Sequence, residues 1–357
     1  MTGFNSIGTV KCSGTETAEP QVGQVQDRYA QWSRKILSRV TAIFARIFGY
    51  VSCALMCSTF CALPVFATDS DSALERYAVV LSGHPIVVWS RRPSSPAGVV
   101  VLVHGRTWGA RTAFDFEPKG GNRSLLKVLA AAGYATYAVD LPGYGETARD
   151  GAGWLKPTHA AEVVEAVLGF ASTRNPRLPA PVLLGWSRGS KISALVAIRA
   201  RQPLSGLVLY AFTFDPNSPP LYGPATGDPK AIANSEADAQ SDFISPDVVD
   251  ANLVQEFVNT ALQLDPIKVD VCCDTDFFEI RPEAIRVPTL LIQGARDPGI
   301  HPAAAAEFFS KLSTNDRRWV VIAEGDHAVG LEATAPIFFG AVVDFVRSTI
   351  VPKSAAR

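Results

Sequence analysis

An α/β architecture follows from three features of this 357-residue chain. Short β-branched runs alternate with stretches of helical apolar spacing, the first strong run is apolar along its whole length, and a polar, proline-rich segment interrupts the alternation late. The expectation is a mostly parallel central sheet of about eight strands flanked by helices, carrying a helical cap insertion.

The elements follow in order. Residues 77–89 run apolar on both sides of Ser82-Gly83-His84, which reads as a β-hairpin turning at the glycine. Residues 99–103 are Val-Val-Val-Leu-Val, a strand buried on both faces that ends at His104-Gly105. In residues 122–132, Leu125, Leu126 and Leu129 recur at helical spacing, Gly133 stops the helix, and residues 134–139 form the next strand before Asp140-Leu141-Pro142-Gly143. A helix is predicted over 158–171, a strand over 181–184, a helix from Gly189 to Arg201, and a strand over 207–212. Residues 213–286 change to Pro, Asp, Asn and Ser with one amphipathic stretch, 249–262, and read as the inserted cap. The core resumes with a strand at 287–292, a helix at 303–312, a strand at 319–322 and a closing helix at 336–348. The alternation implies right-handed crossovers between parallel strands. It divides the chain into core residues 68–212, a cap at 213–286 and core residues 287–357, after a separate segment 1–67.

That first segment has the layout of an export signal. Arg34, Lys35, Arg39 and Arg46 precede residues 47–67, which carry no charge and end in Pro64-Val65-Phe66-Ala67 before the acidic Thr68-Asp69-Ser70-Asp71. Cleavage after Ala67 is expected, giving a secreted or periplasmic protein. The uncharged run also has the length of an uncleaved anchor, since about 20 apolar residues span a bilayer. This signal or anchor is the only membrane contact expected. Of Cys53, Cys57 and Cys61, only Cys53 follows a residue as small as lipid modification requires, Ser52.

Composition narrows the function. The chain is 47% hydrophobic and 19% charged, as suits a globular protein with a large core, and its charge is −1 with no cluster of lysine and arginine to bind nucleic acid. Removing residues 1–67 takes six basic and three acidic residues from totals of 33 and 34, leaving 27 against 31 and a charge of −4. Four of six cysteines leave with it. The adjacent pair Cys272-Cys273 remains, either as buried thiols or as a strained vicinal disulfide. No H-E-x-x-H, paired C-x-x-C or G-x-G-x-x-G occurs, so no metal or organic cofactor is expected. A monomer is the default.

Gly185-Trp186-Ser187-Arg188-Gly189 matches G-x-S-x-G where a buried strand turns into a helix. Its glycines relieve crowding in a tight turn, and the helix start favours negative charge developing beside the hydroxyl. A serine needs a base, and the base needs a group that fixes its tautomer. Of five histidines, His84 lies in a hairpin turn, His104 after the first long strand, His159 near a helix start and His301 in a proline-flanked loop. His327, in Glu324-Gly325-Asp326-His327-Ala328, sits directly after the last strand. Asp297, in Gly294-Ala295-Arg296-Asp297-Pro298, follows the penultimate strand, with Asp215 as the replacement acid if Asp297 only forms a turn. Ser187, Asp297 and His327 should then emerge at one C-terminal edge of the sheet.

In these motifs and in the chain order Ser, Asp, His, the sequence resembles the α/β-hydrolase superfamily over about residues 74–351. The resemblance implies Ser187 as nucleophile, His327 as general base and then acid, Asp297 as the residue orienting His327, and backbone N–H groups of Arg106 and Arg188 as oxyanion donors. The loop reads H-G-R-T-W rather than the H-G-G-G of many lipases, which leaves Thr107 as an alternative donor and argues against a lipase. Thr107, Trp108, Trp186 and Phe212 lie near the chemical edge in sequence and are candidates for an apolar substrate pocket. The side chains of Arg106, Arg111 and Arg188 either bind an acidic substrate or form structural ion pairs. The implied reaction is hydrolysis of a small-molecule or polymer ester through an acyl-enzyme. An amidase or peptidase uses the same groups, and a non-catalytic binding protein of the same fold is the third reading.

Overall fold

Strands that are apolar along most of their length have no side to show to water, and here they fill the middle of the sheet. The computed structural model describes residues 72–350 except Gly120; the predicted export signal, its cleavage site and Cys53, Cys57 and Cys61 lie outside the described residues. The all-buried strands β3 (Gly98–Val103), β6 (Tyr134–Val139), β7 (Val182–Trp186), β8 (Gly206–Tyr210) and β9 (Thr289–Gly294) run parallel to one another. With β1 (Glu75–Leu81), β2 (His84–Ser90) and β10 (Arg317–Ile322) they make an eight-stranded sheet in the order β1-β2-β6-β3-β7-β8-β9-β10. Only the β1–β2 and β2–β6 pairs are antiparallel. The hairpin closes with Leu81 opposite His84, and Ser82 and Gly83 take φ of 49° and 83°, the two positive values that such a two-residue turn requires.

Alternation along β3 feeds two cores. Val100 and Leu102 point to the face covered by α1 (Ala110–Phe114), α2 (Leu125–Ala131) and α8 (Ala335–Ile350). Val99, Val101 and Val103 point to the face covered by α3 (Pro157–Arg174), α4 (Arg188–Arg199) and α7 (Pro302–Lys311). Between β8 and β9 the chain leaves the sheet for α5 (Glu236–Gln240), α6 (Ala251–Leu264) and three short 3-10 turns. Asp250 caps α6 by accepting from the N–H groups of Asn252 and Leu253, and the helix buries Phe257, Val258 and Ala261 in the α2/α8 core. Among the described residues no helix is long and apolar enough to cross a membrane.

Several boundaries differ from the sequence reading, among them the ends of α3, β7 and β9, and three of the differences have local reasons. The first long helix starts at Leu125 rather than 122, because β4 (Asp115–Phe116) pairs with β5 (Arg123–Ser124) as a two-residue ribbon and Ser124 caps the helix. β10 begins at Arg317, two residues early: as an edge strand it leaves room for arginine, and Arg317 donates to the carbonyls of Phe309, Ser310 and Leu312. β8 stops at Tyr210 because Ala211 turns left-handed with φ of 47°. Cys272 and Cys273 are free thiols, the first buried and the second half-buried.

Candidate active site

Crowding around one turn explains its two glycines. A Cβ at Gly185 would sit 2.2 Å from the Gly189 carbonyl oxygen, and one at Gly189 would sit 2.3 Å from the carbonyl oxygens of both Val103 and His104. The start of α4 therefore presses against the end of β3 at a distance only glycine allows. Between them Ser187 takes φ of 55° and ψ of −120°, a strained value for a residue with a side chain. Its N–H is held by the Tyr210 carbonyl at 2.9 Å, and its carbonyl accepts from Ser190 N–H at 3.0 Å.

Two other strand ends bring up the partners. Beyond β9, Asp297 is buried, and its Oδ1 accepts the Gly299 N–H at 2.8 Å. Beyond β10, the loop with His327 crosses the end of β9 so closely that a Cβ on Gly294 would lie 2.3 Å from the carbonyl oxygens of Gly325 and Asp326. His327 Nδ1 is 2.8 Å from Asp297 Oδ2, and His327 Nε2 is 2.9 Å from Ser187 Oγ. A carboxylate only accepts, so Nδ1 donates to Asp297; a neutral imidazole then has its free lone pair on Nε2, facing the hydroxyl. Asp215 is not part of this relay: it is half-buried, and its oxygens accept from Asn217 N–H and Ser218 Oγ in its own turn, both at 2.9 Å. Burial by itself lowers the basicity of His327, but the carboxylates of Asp297, Asp242 and Asp326 outweigh it and hold the imidazole above its ordinary 6.5.

The loop that carries His327 is itself clamped. Trp186 Nε1 donates to the His327 carbonyl at 3.0 Å and its ring stacks on Tyr210 at 5.4 Å. The buried Asp326 accepts Ser245 N–H at 2.6 Å and Ala328 N–H at 3.1 Å, while Glu332, wholly buried, accepts Asp326 N–H at 3.0 Å. Burial, reinforced by Asp326, pushes the Glu332 carboxyl up to about 9. These supports were invisible in the sequence; an acidic residue five positions after a candidate histidine is the only trace Glu332 leaves there.

The loop after β3 supplies backbone donors. The buried His104 holds the Gly105 carbonyl with Nδ1 at 2.9 Å and accepts Leu141 N–H with Nε2 at 3.1 Å, and burial lowers its pKa to about 4, so the ring is neutral. A trans peptide points its N–H opposite its C=O, so fixing the Gly105 carbonyl on His104 turns the Arg106 N–H away from that ring. Tyr144 likewise donates its hydroxyl to the Arg106 carbonyl and so orients the Thr107 N–H. Gly105, Arg106 and Thr107 all border Ser187 in one pocket of about 100 Å³, and Arg188 follows Ser187 at the first position of α4.

Trp108, Trp186, His327 and Asp242 complete the lining of that pocket. Phe212 does not reach it. Strand alternation would have kept Phe212 on the face of Tyr210, but the left-handed Ala211 sends it to the opposite core, where its ring packs 4.7 Å from Phe308 and 5.5 Å from Phe214. The Arg188 guanidinium is turned away too, in a buried ion pair with Asp274 at 2.5 Å beneath the Phe277 ring. Arg111 lies over the Trp89 ring at 5.0 Å, outside this pocket, whereas Arg106 borders it and donates to Tyr222 Oη at 2.6 Å. Sequence reading missed Asp242, which comes from the inserted segment in a stretch without any motif.

Comparison with known proteins places the chain among hydrolases. Residues 94–334 match the family described as serine aminopeptidase, S33. No curated protein sequence matches the chain significantly. Among solved structures, a thermophilic esterase from Thermogutta terrifontis is similar at a TM-score of 0.54 and 16% identity, covering 78% of this chain and 100% of its own. The thioesterase domain from the curacin biosynthetic pathway reaches 0.53 at 16% identity over 77% and 99%. An esterase from Mycobacterium tuberculosis reaches 0.51 at 18% identity over 77% and 90%. The shared architecture is the α/β-hydrolase fold.

Proposed function

The chain belongs to the serine aminopeptidase S33 family of hydrolases, and from that premise we propose that it is a secreted serine hydrolase cleaving a carboxylic ester through an acyl-enzyme. One observation carries the reading: at the strained turn after β7, hydroxyl, imidazole and carboxylate stand in series at 2.9 and 2.8 Å. In acylation, Ser187 Oγ attacks the ester carbonyl while His327 Nε2 takes the hydroxyl proton. The oxyanion that forms is met by the N–H of Arg188 and by that of Arg106 or Thr107. Collapse expels the alcohol, protonated by His327; water, deprotonated by the same nitrogen, then releases the acid and restores Ser187. Asp297 keeps the proton on Nδ1 and stabilises the imidazolium throughout.

Similar folds that carry esterase and thioesterase names make an ester the first substrate to assay. The name of the matched family favours a second reading, an aminopeptidase using the same groups. An ester and an amide of one acyl group, assayed side by side, separate the two. The decisive experiment is Ser187→Ala with a short-chain aryl ester, together with labelling of Ser187 by an organophosphonate. Loss of several orders of magnitude in kcat/KM and a label confined to wild type are expected. Activity within tenfold of wild type defeats the mechanism, and a folded wild-type protein that takes no label and turns over no ester indicates the non-catalytic reading. Export follows from the basic and uncharged segments before Thr68. N-terminal sequencing of the secreted protein tests it, with Thr68 expected as the first residue.

A further inference from the structure

The pocket beside Ser187 holds a carboxylate that takes no part in the proton transfers of the reaction. Asp242 lies just beyond α5, between Ala239 and Phe243, whose side chains are buried against the core; the Phe243 ring packs 5.1 Å from Phe257 of α6. The inserted segment thus presents Asp242 rigidly to the pocket that Ser187 and His327 share. One carboxylate oxygen accepts Trp108 Nε1 at 2.6 Å. Among the described residues the other makes no hydrogen bond, and no lysine or arginine is ion-paired with Asp242. Of the basic groups that act on it, His327 is hydrogen-bonded to Asp297 and Ser187, and Arg106 donates to Tyr222. Asp242 is half-buried, and a carboxylate partly withdrawn from water without a cationic partner is costly unless something else supplies the charge. It is ionised under ordinary assay conditions, because burial, partly offset by His327, Trp108 and Arg106, places it at about 6.

Resting on the hydrolase reading above, we propose that Asp242 is a specificity-determining residue that selects substrates bearing a cationic group, an ammonium or quaternary ammonium, close to the scissile carbonyl. The half-occupied carboxylate takes the place of a counter-ion for that group, and Trp108 fixes the oxygen that does not face it. The same charge disfavours carboxylate-bearing substrates. The pocket, at about 100 Å³, admits a short substituent rather than a long acyl chain.

The test uses the full chain and matched esters of equal shape. On the acyl side these are p-nitrophenyl 4-aminobutyrate, pentanoate and hemisuccinate; on the alcohol side, choline butyrate and 3,3-dimethylbutyl butyrate. The cationic ester of at least one pair should exceed its neutral isostere at least tenfold in kcat/KM, about 1.4 kcal/mol, with the anionic ester slowest. The pair that shows the preference tells on which side of the ester the cation lies. In Asp242→Asn the ratio of cationic to neutral rates should collapse toward one. Should that variant fail to fold, tetraethylammonium must inhibit hydrolysis of the neutral ester by wild type competitively, more strongly than neopentyl alcohol does. Equal or lower rates for both cationic esters, with Ser187 still labelled by organophosphonate, overturn the role of Asp242 and leave the hydrolase reading standing. An unlabelled Ser187 with no turnover of any ester overturns both.

Discussion

Replacing Asp297 by Asn keeps the shape of the site and reverses one hydrogen bond. Asp297 Oδ1 accepts Gly299 N–H at 2.8 Å, so an Asn at 297 keeps its oxygen there and turns its NH2 toward His327 Nδ1. Nδ1 must then accept, the ring proton moves to Nε2, and the nitrogen that faces Ser187 no longer takes a proton. Flipping the amide instead opposes two donors at Gly299, which costs about 1–3 kcal/mol. The lost carboxylate no longer stabilises the imidazolium. Two unit charges about 4 Å apart at an effective dielectric near 20 give about 4 kcal/mol, which falls to roughly 3 for the part of the ring that solvent reaches. Together these are about 4–6 kcal/mol, a fall of 10³–10⁴ in kcat, close to the roughly 10⁴ known for such a change in a serine protease. The assay is hydrolysis of a short-chain aryl ester at pH 8, with circular dichroism as the fold control. Asp215→Asn, on an exposed turn, should change kcat less than about threefold. A folded Asp297→Asn enzyme retaining more than a tenth of wild-type kcat refutes the assignment, and a large loss in Asp215→Asn would move the acid there.

Because only neutral His327 takes the serine proton, and because its carboxylate neighbours outweigh burial, the acid limb of kcat/KM should have its midpoint above 6.5; a midpoint below that value contradicts the electrostatics. Glu332 has a folded pKa of about 9 against an ordinary 4.5, so it favours folding below pH 4.5 and loses that contribution as pH rises toward 9. Glu332→Gln, which stays neutral, should gain at least about 1 kcal/mol over wild type at pH 9 relative to pH 5 in urea unfolding; parallel stability curves would show that Glu332 is ionised in the fold. Gly189→Ala forces a Cβ to 2.3 Å from two backbone oxygens at the end of β3, those of Val103 and His104. A loss at or beyond about 3 kcal/mol is expected by thermal unfolding, and a Tm within a few degrees of wild type would mean that α4 slides off β3 at little cost.

The sequence alone settled what depends on short stretches of chain. The valine-rich run of residues 99–103 locates the central strand β3, because burial on both faces leaves no polar position in it. The G-x-S-x-G spacing locates the strained turn, because the two glycines answer contacts within the turn itself and with the adjacent strand end. Parallel strands of such a sheet end on one side, so Ser187, Asp297 and His327 could be named as neighbours from their places after strands alone. What the tertiary structure decided depends on packing between distant segments. A single left-handed residue, Ala211, carries Phe212 to the opposite core, and no pattern of side chains announces a backbone reversal at alanine. Asp242 reaches the pocket from 55 positions beyond Ser187, through the docking of α5 on α6, a contact that no local periodicity encodes. Arg188 and Asp274 likewise pair across 86 positions. Local sequence fixes the conformations available to each segment, whereas which side chains line the pocket beside Ser187 is decided by how the inserted segment packs against the core.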